Sequence, residues 1–492
     1  MRWFLRNLKR AIVLVVIVLL TLLAARIYET QRGLPLALWH THVPHELTAK
    51  QMDKAAWPEY VQAETAIFDD IRTAVTAKLA PDQKVASNRY FEGSPVDPAT
   101  FAQDWNRSVI LRPDGAPVGA VVLLHGLTDS PYSLRHIAER YRDRGFVAVI
   151  IRLPGHGTVP AGLTHVDWED WMAATRLAIR EATRLSGPQA PLHLVGYSNG
   201  GALALMYALD AIEDRSLARP DKLVLLSPMV GVTRFARFAG LAGIPAILPA
   251  FAKAAWLGVM PEFNPFKYNS FPVNAARQSH LLSSTLQDRI ARMSREGRLD
   301  RLAPVLTFQS VVDFTVSTQA IVTALYDQLP ANGSELVLFD INRNAKLGPL
   351  LSASTDTVLA RILPPAQRRY RTTVVANVSP DTGAVETRTV EPGQTAEQRR
   401  GLGLDYPADV YSLSHVALPF PTDDGLYGTH PSPADHFGVQ LGAIASRGER
   451  GTLIVNLDTL MRISSNPFFP YVIERIEALM PPVAVPASTP SP

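Results

Sequence analysis

The pentapeptide Gly196-Tyr197-Ser198-Asn199-Gly200 reads G-x-S-x-G, and it separates a short apolar run (Leu192, Leu194, Val195) from a helix-like run over residues 202–209. The order strand, sharp turn, helix holds the central serine on a strained backbone with its hydroxyl exposed. Glycine is wanted on both sides because a side chain there crowds the turn. Ser198 is therefore the candidate nucleophile; the other reading is a strand-to-helix connection that uses glycine only for packing. A serine hydroxyl attacks a carbonyl when a base takes its proton, a carboxylate orients that base, and two N–H donors receive the oxyanion. One donor is expected from the Asn199 backbone, directly after the serine. The second is expected from Leu127, because residues 121–127 (VVLLHGL) read as a buried strand ending in His-Gly, and Gly126 lets the backbone approach a substrate. His125 is read as structural, holding that loop by hydrogen bonds.

Asp313 is the expected acid. It lies just past the strand-like run 304–309, on a short loop before a helix expected from about Ser317, and active sites in open α/β sheets collect at the carboxyl ends of strands. Asp340 also ends a strand and is the rival, and a helix N-cap is the bland role for Asp313. In nucleophile-elbow enzymes the base follows the acid along the chain. Of the twelve histidines, His415, His430 and His436 satisfy that order. His415, in a loop running into an apolar segment, is the expected base. His430 lies in a Gly-Thr-His-Pro turn, and His436 begins an expected helix.

These groups need a frame. From about residue 108 onward strand-like and helix-like runs alternate, which predicts an α/β fold with a mostly parallel sheet covered on both faces. Residues 108–227 read as the first part of that core, 303–341 as its second part and 411–480 as its C-terminal part. Residues 228–302, rich in Ala, Phe, Leu and Pro, read as a helical cap over the strand ends, or as an ordinary apolar helical layer. Residues 342–410 read as an insertion with a β-hairpin flanking Ser379-Pro380-Asp381-Thr382-Gly383. Residues 29–107 read as a linker and a helical extension broken near Pro58, and 481–492 as a disordered Pro- and Ala-rich tail.

Length and composition suit a large buried core: 492 residues, 47% apolar and 19% charged. The net charge is +3, and removing Arg2, Arg6, Lys9 and Arg10 leaves −1, so the basic balance is no signal for nucleic acid. The absence of cysteine excludes disulfides, thiol catalysis and Cys-ligated metals. Residues 11–25 carry no charge. Residues 1–28 are read as a single-pass membrane anchor, with Trp3, Phe4 and Tyr28 at the interfaces. The basic N-terminus then stays in the cytoplasm and the bulk of the chain lies on the other side, the periplasm in a Gram-negative cell. The alternative is a cleaved signal peptide and a secreted product, although no small-x-small cleavage site follows.

Taken together, the motifs resemble the α/β-hydrolase superfamily, in particular its carboxylesterase and monoacylglycerol-lipase-like branch. The matching segments are 125–131 (HGLTDSP), 152–157 (RLPGHG), 196–200, 313–316 (DFTV) and 414–416 (SHV). The similarity covers about residues 108–340 and 405–425. It implies an α/β-hydrolase fold, a Ser198–Asp313–His415 triad and an oxyanion hole from Leu127 and Asn199. Three departures stand out: an unusually long span between Asp313 and His415, about 80 extra residues before the first strand, and Leu127 where Phe is common. The implied function is hydrolysis of a hydrophobic or lipid-derived carboxylic ester, with no metal or organic cofactor. The alternatives are an acyltransferase using the same residues and a non-catalytic binding protein. Dehalogenase and epoxide-hydrolase chemistry is disfavoured because it uses Asp where this chain has Ser198.

Overall fold

The computed structural model describes residues 2–231, 243–247, 249–345, 357–363, 367–443 and 462–481. The expected tail from 482 onward, residues 232–242 near the start of the expected cap, 346–356 and 364–366 of the expected insertion and 444–461 of the expected C-terminal core part lie outside them. Helix α1 (Arg2–Arg32) takes in the charge-free run and continues past Tyr28. Its 31 residues extend roughly 46 Å, its apolar side chains are exposed, and it is long and apolar enough to cross a membrane. The stretch after it is not a free linker, since Trp39 and His40 are buried. Pro58 starts a helix instead of breaking one. It sits in the first turn of α2 (Trp57–Ala74), where a missing N–H has no intrahelical partner to lose.

The core is a ten-stranded sheet. In chain order its first part comprises β1 (Val109–Leu111), β2 (Gly119–Leu124), α3 (Arg135–Asp143), β3 (Phe146–Ile151), α4 (Trp168–Ser186), β4 (Leu192–Tyr197), α5 (Asn199–Glu213) and β5 (Lys222–Leu226). A two-stranded ribbon, β6 (Trp256–Gly258) with β7 (Phe271–Pro272), and the long helix α6 (Val273–Arg295) follow. The sheet resumes with β8 (Val305–Ser310), β9 (Glu335–Phe339), β10 (Arg371–Asn377), β11 (Ala384–Val390) and β12 (Gln398–Asp405), and α7 (Phe469–Glu477) comes last among the described elements. Strand order is β1-β3-β2-β4-β5-β8-β9-β10-β11-β12. The run from β3 to β10 is parallel throughout.

Strands β2, β3 and β4 are buried along their whole length, which is why they read as continuous apolar runs. Alternate side chains serve opposite faces. Val122 and Leu124 pack with residues of α4, α5 and α6, whereas Val121 and Leu123 pack with Ile137 and Tyr141 of α3 and with α7.

Two segments differ from expectation. The region read as a helical cap contains the β6–β7 ribbon, and Pro261, Pro265 and Pro272 keep residues 261–272 from forming a helix. The hairpin in 342–410 is part of the central sheet: β10 pairs in parallel with β9, Val374 opposite Leu338, and β11 and β12 continue antiparallel. Strand β12 (QRRGLGLD) carried no readable signal, since most of its residues are exposed and polar or glycine. The helix expected at His436 is absent, and residues there form turns.

Candidate active site

Strand β4 delivers Ser198 at its carboxyl end, and α5 begins at the next residue. Ser198 has φ 54° and ψ −114°, a region that non-glycine residues rarely occupy. The flanking glycines explain how the turn closes. A Cβ on Gly196 would lie 2.5 Å from the Gly200 carbonyl oxygen, and one on Gly200 would lie 1.9 Å from that of Leu124. The Ser198 N–H donates to Leu226 O at 2.9 Å, and its carbonyl accepts from Met229 N–H at 2.9 Å. The turn is thus stitched to β5 and the loop beyond it.

Asp313 follows β8, and its side chain is fully buried. Its Oδ2 accepts from His415 Nδ1 at 2.9 Å and from Gln309 Nε2 at 3.1 Å. Its Oδ1 accepts from the N–H groups of Thr315 (2.7 Å) and Val316 (2.9 Å). Burial pushes this carboxyl up, but the positive charge and hydrogen bond of His415, with the Val316 and Thr315 amides, outweigh it and hold the group below the ordinary carboxylate range. The 102-position span from acid to histidine includes β9–β12, which extend the sheet sideways. The loop carrying His415 returns to the carboxyl end of β8. Ser310 Oγ donates to Leu413 O at 2.8 Å, and Ser414 Oγ donates to Ile463 O at 2.5 Å. The ring of Tyr197 lies 5.4 Å from that of His415.

The rival residues are elsewhere engaged. Asp340 caps Ile341 N–H and pairs with Arg343 at 3.5 Å. His430 and His436 are exposed, and the His430 ring meets Thr429 Oγ1. His125 is buried, with Nδ1 2.9 Å from Gly126 O and Nε2 accepting from Leu153 N–H at 3.0 Å. The Leu153 donor places the ring proton on Nδ1. Burial lowers this imidazole to about 3, so it stays neutral and ties the loop at Gly126 to the loop after β3.

Ser198 and His415 line one cavity of about 320 Å³, together with Leu127, Met229, Phe271, Lys267 and Arg462. Ser198 is 5% exposed. Asn199 supplies the first N–H of α5, a group with no intrahelical acceptor. Leu127 N–H makes no hydrogen bond among the described residues. A Cβ at Gly126 would come within 3.1 Å of the Tyr197 ring and 3.3 Å of Ser198 Cβ, so glycine keeps that loop close to the serine. Lys267, Arg462 and Gln309 were not singled out from sequence, since no motif surrounds them. Lys267 Nζ lies 3.7 Å from Asp129. Burial raises the Asp129 carboxyl against the lowering effect of Lys267. No cluster of metal-ligating side chains occurs among the described residues.

Residues 115–341 match the family model described as Hydrolase_4, Serine aminopeptidase, S33. A thermostable monoacylglycerol lipase of Bacillus sp. (strain H-257) is 34% identical over 95 residues, 19% of this chain and 36% of that protein. Phospholipase YtpA of Bacillus subtilis (strain 168) is 25% identical over 117 residues, 24% of this chain and 42% of that one. The match therefore spans about two-fifths of the length of these relatives. Among solved structures, a monoacylglycerol lipase of Paleococcus ferrophilus is 18% identical, aligned over 52% of this chain and 96% of that one with a TM-score of 0.35. With its parallel sheet, its serine turn at the end of β4 and this match across the core, the chain carries the α/β-hydrolase fold and resembles the lipase- and esterase-like serine hydrolases.

Proposed function

We propose that the protein is a serine hydrolase of carboxylic esters, acting on hydrophobic or lipid-derived substrates. The observation that carries this reading is the junction of three distant segments at one cavity: Ser198 on a strained turn, His415 in the lining of the same cavity, and Asp313 bonded to His415 Nδ1. That bond leaves Nε2 as the basic nitrogen. Nε2 takes the Ser198 hydroxyl proton as Oγ attacks the ester carbonyl carbon. The carbonyl oxygen becomes the oxyanion, received by the N–H groups of Asn199 and Leu127. Collapse breaks the bond to the alkoxide leaving group, which takes the proton from His415, and an acyl-Ser198 remains. Water, deprotonated by His415, repeats the sequence and releases the carboxylic acid. Asp313 keeps its charge and stabilises the imidazolium. The apolar cavity wall (Leu127, Met229, Phe271, Val416) suits an acyl chain, and the similarity to a monoacylglycerol lipase and a phospholipase supports the same class.

The test is hydrolysis of nitrophenyl esters of graded chain length by the protein and by Ser198→Ala. Turnover that depends on Ser198 and favours longer chains is expected. A folded protein that hydrolyses none of them, or a Ser198→Ala variant as active as the parent, contradicts the proposal.

A further inference from the structure

The end of α1 is bonded to residues 250–256, which adjoin the segment that lines the Ser198 cavity. The Arg26 guanidinium donates to the Trp256 carbonyl. Gln31 Nε2 donates to Ala250 O at 3.1 Å, and Lys253 Nζ donates to Gly33 O at 3.0 Å. His40 continues the same seam: its ring lies edge-on to Trp256 with centroids 4.9 Å apart, and its Nε2 is 2.9 Å from Ser270 Oγ. Trp256 pairs with Pro272 across the ribbon, and Phe271 of the same strand lines the cavity. Paired strands lie about 4.8 Å apart, so a single strand separates the end of the apolar helix from the cavity wall.

Apolar side chains also face solvent next to the cavity and next to the bonded segment. Phe314, between Asp313 and the cavity residue Thr315, is 89% exposed, and Leu257 in β6 is 41% exposed. Single exposed apolar residues are ordinary. Phe314 borders the cavity through Thr315, and Leu257 follows Trp256, which is bonded to an apolar helix whose exposed surface calls for lipid. Lys253, beside the end of α1, and Arg462, in the cavity lining, add positive charge, while Lys267 in the same lining is paired with Asp129.

We propose that the bonds between residues 26–40 and residues 250–270 form a clamp that holds the mouth of the Ser198 cavity against the bilayer surface, so that the acyl ester enters from the lipid phase. This rests on the ester-hydrolase reading and on α1 crossing the membrane. In this arrangement α1 positions the cavity as well as tethering it. Phe314 and Leu257 dip into the interfacial layer, and the cavity opens onto the acyl chains.

Because the chain contains no cysteine, single labels are clean. Leu257→Cys, Phe314→Cys and, as a control, Val378→Cys (native side chain 45% exposed) are made in the full chain. Each carries an environment-sensitive fluorophore and is reconstituted in phosphatidylcholine–phosphatidylglycerol vesicles with brominated acyl chains. Labels at 257 and 314 are expected to be quenched at least twofold by the brominated lipid, and the label at 378 to be unaffected. Equal access of aqueous iodide to all three overturns the docking. In parallel, Gln31→Ala combined with Lys253→Ala is expected to lower turnover of a vesicle-embedded long-chain ester at least tenfold and of a water-soluble short-chain ester less than twofold. Equal losses on both substrates, or no loss on either, overturn the clamp. If the folded protein turns over no ester at all, the hydrolase reading fails, while the label positions still decide the docking.

Discussion

Ser198 is held at φ 54°, a backbone state costing on the order of 1–3 kcal/mol that persists only where neighbours over-determine it. Gly196 and Gly200 are those neighbours. Gly200→Ala places a methyl group 1.9 Å from Leu124 O, so it should lower stability by about 3 kcal/mol or more or prevent soluble expression. A melting temperature within two degrees of the parent contradicts that reading of the turn, since domains of about 150–250 residues shift by ~2–4 °C per kcal/mol. Asp313→Asn keeps the shape but cannot stabilise the imidazolium, and kcat should fall roughly 10³–10⁴-fold. Steady-state kinetics showing less than a tenfold loss would reassign the acid. These positions were legible in the sequence because each ends a strand or lies in a short motif beside one. Gln309 was not, since a buried glutamine inside β8 looks like any strand residue until Asp313 folds back onto it. Lys267 and Arg462 face the cavity from irregular segments that have no period to read.

The elements around the site are pinned by a second carboxylate. Asp424 is fully buried, accepting from Tyr132 OH (2.8 Å), His136 Nε2 (2.9 Å), Arg135 (3.1 Å) and Tyr427 N–H (2.7 Å), and so ties α3 and the turn before it to the C-terminal loop. Burial pushes its carboxyl up, but the His136 hydrogen bond and the charges of Arg135 and His136 bring it down to about 2. A carboxyl depressed in the folded state adds stability above its unfolded value near 4, and that stability is lost as pH falls toward 2. The shift corresponds to roughly 2 kcal/mol. Asp424→Asn, which leaves buried Arg135 with Asp435 as its remaining carboxylate, should cost about 3–5 kcal/mol at pH 7. Urea unfolding should show the gap between parent and variant narrowing below pH 4; a constant gap down to pH 2 contradicts the linkage. Alternation of apolar runs made the parallel core legible from β2 to β9. It failed at the ribbon β6–β7, which is short and proline-bounded, and at β12, whose outer edge and exposed faces leave it no hydrophobic pattern to display.

The apolar helix α1 meets the rest of the protein at residues 250–256. The helix was legible as a charge-free run. Its docking was not, because the acceptors are backbone carbonyls more than 200 residues away, and carbonyls carry no sequence signature. The sideways extension of the sheet also hid itself: a hairpin reads the same whether it stands alone or joins an edge. Removing residues 1–28 should release a folded, soluble protein that keeps water-soluble ester turnover within about threefold, since no cavity residue lies in that stretch. It should no longer sediment with vesicles. A truncated protein that is folded but inactive on soluble esters would mean that α1 acts on the chemistry itself.

A Ser198 nucleophile activated by His415 reacts covalently with an electrophilic phosphorus reagent. The direct measurement is reaction of the full chain with a fluorophosphonate, followed by mass analysis of the peptide that spans β4 and α5. A single adduct on Ser198, lost in Ser198→Ala and slowed at least a hundredfold in His415→Ala, is the predicted result. A folded protein that forms no adduct, or forms it on another residue, contradicts the account.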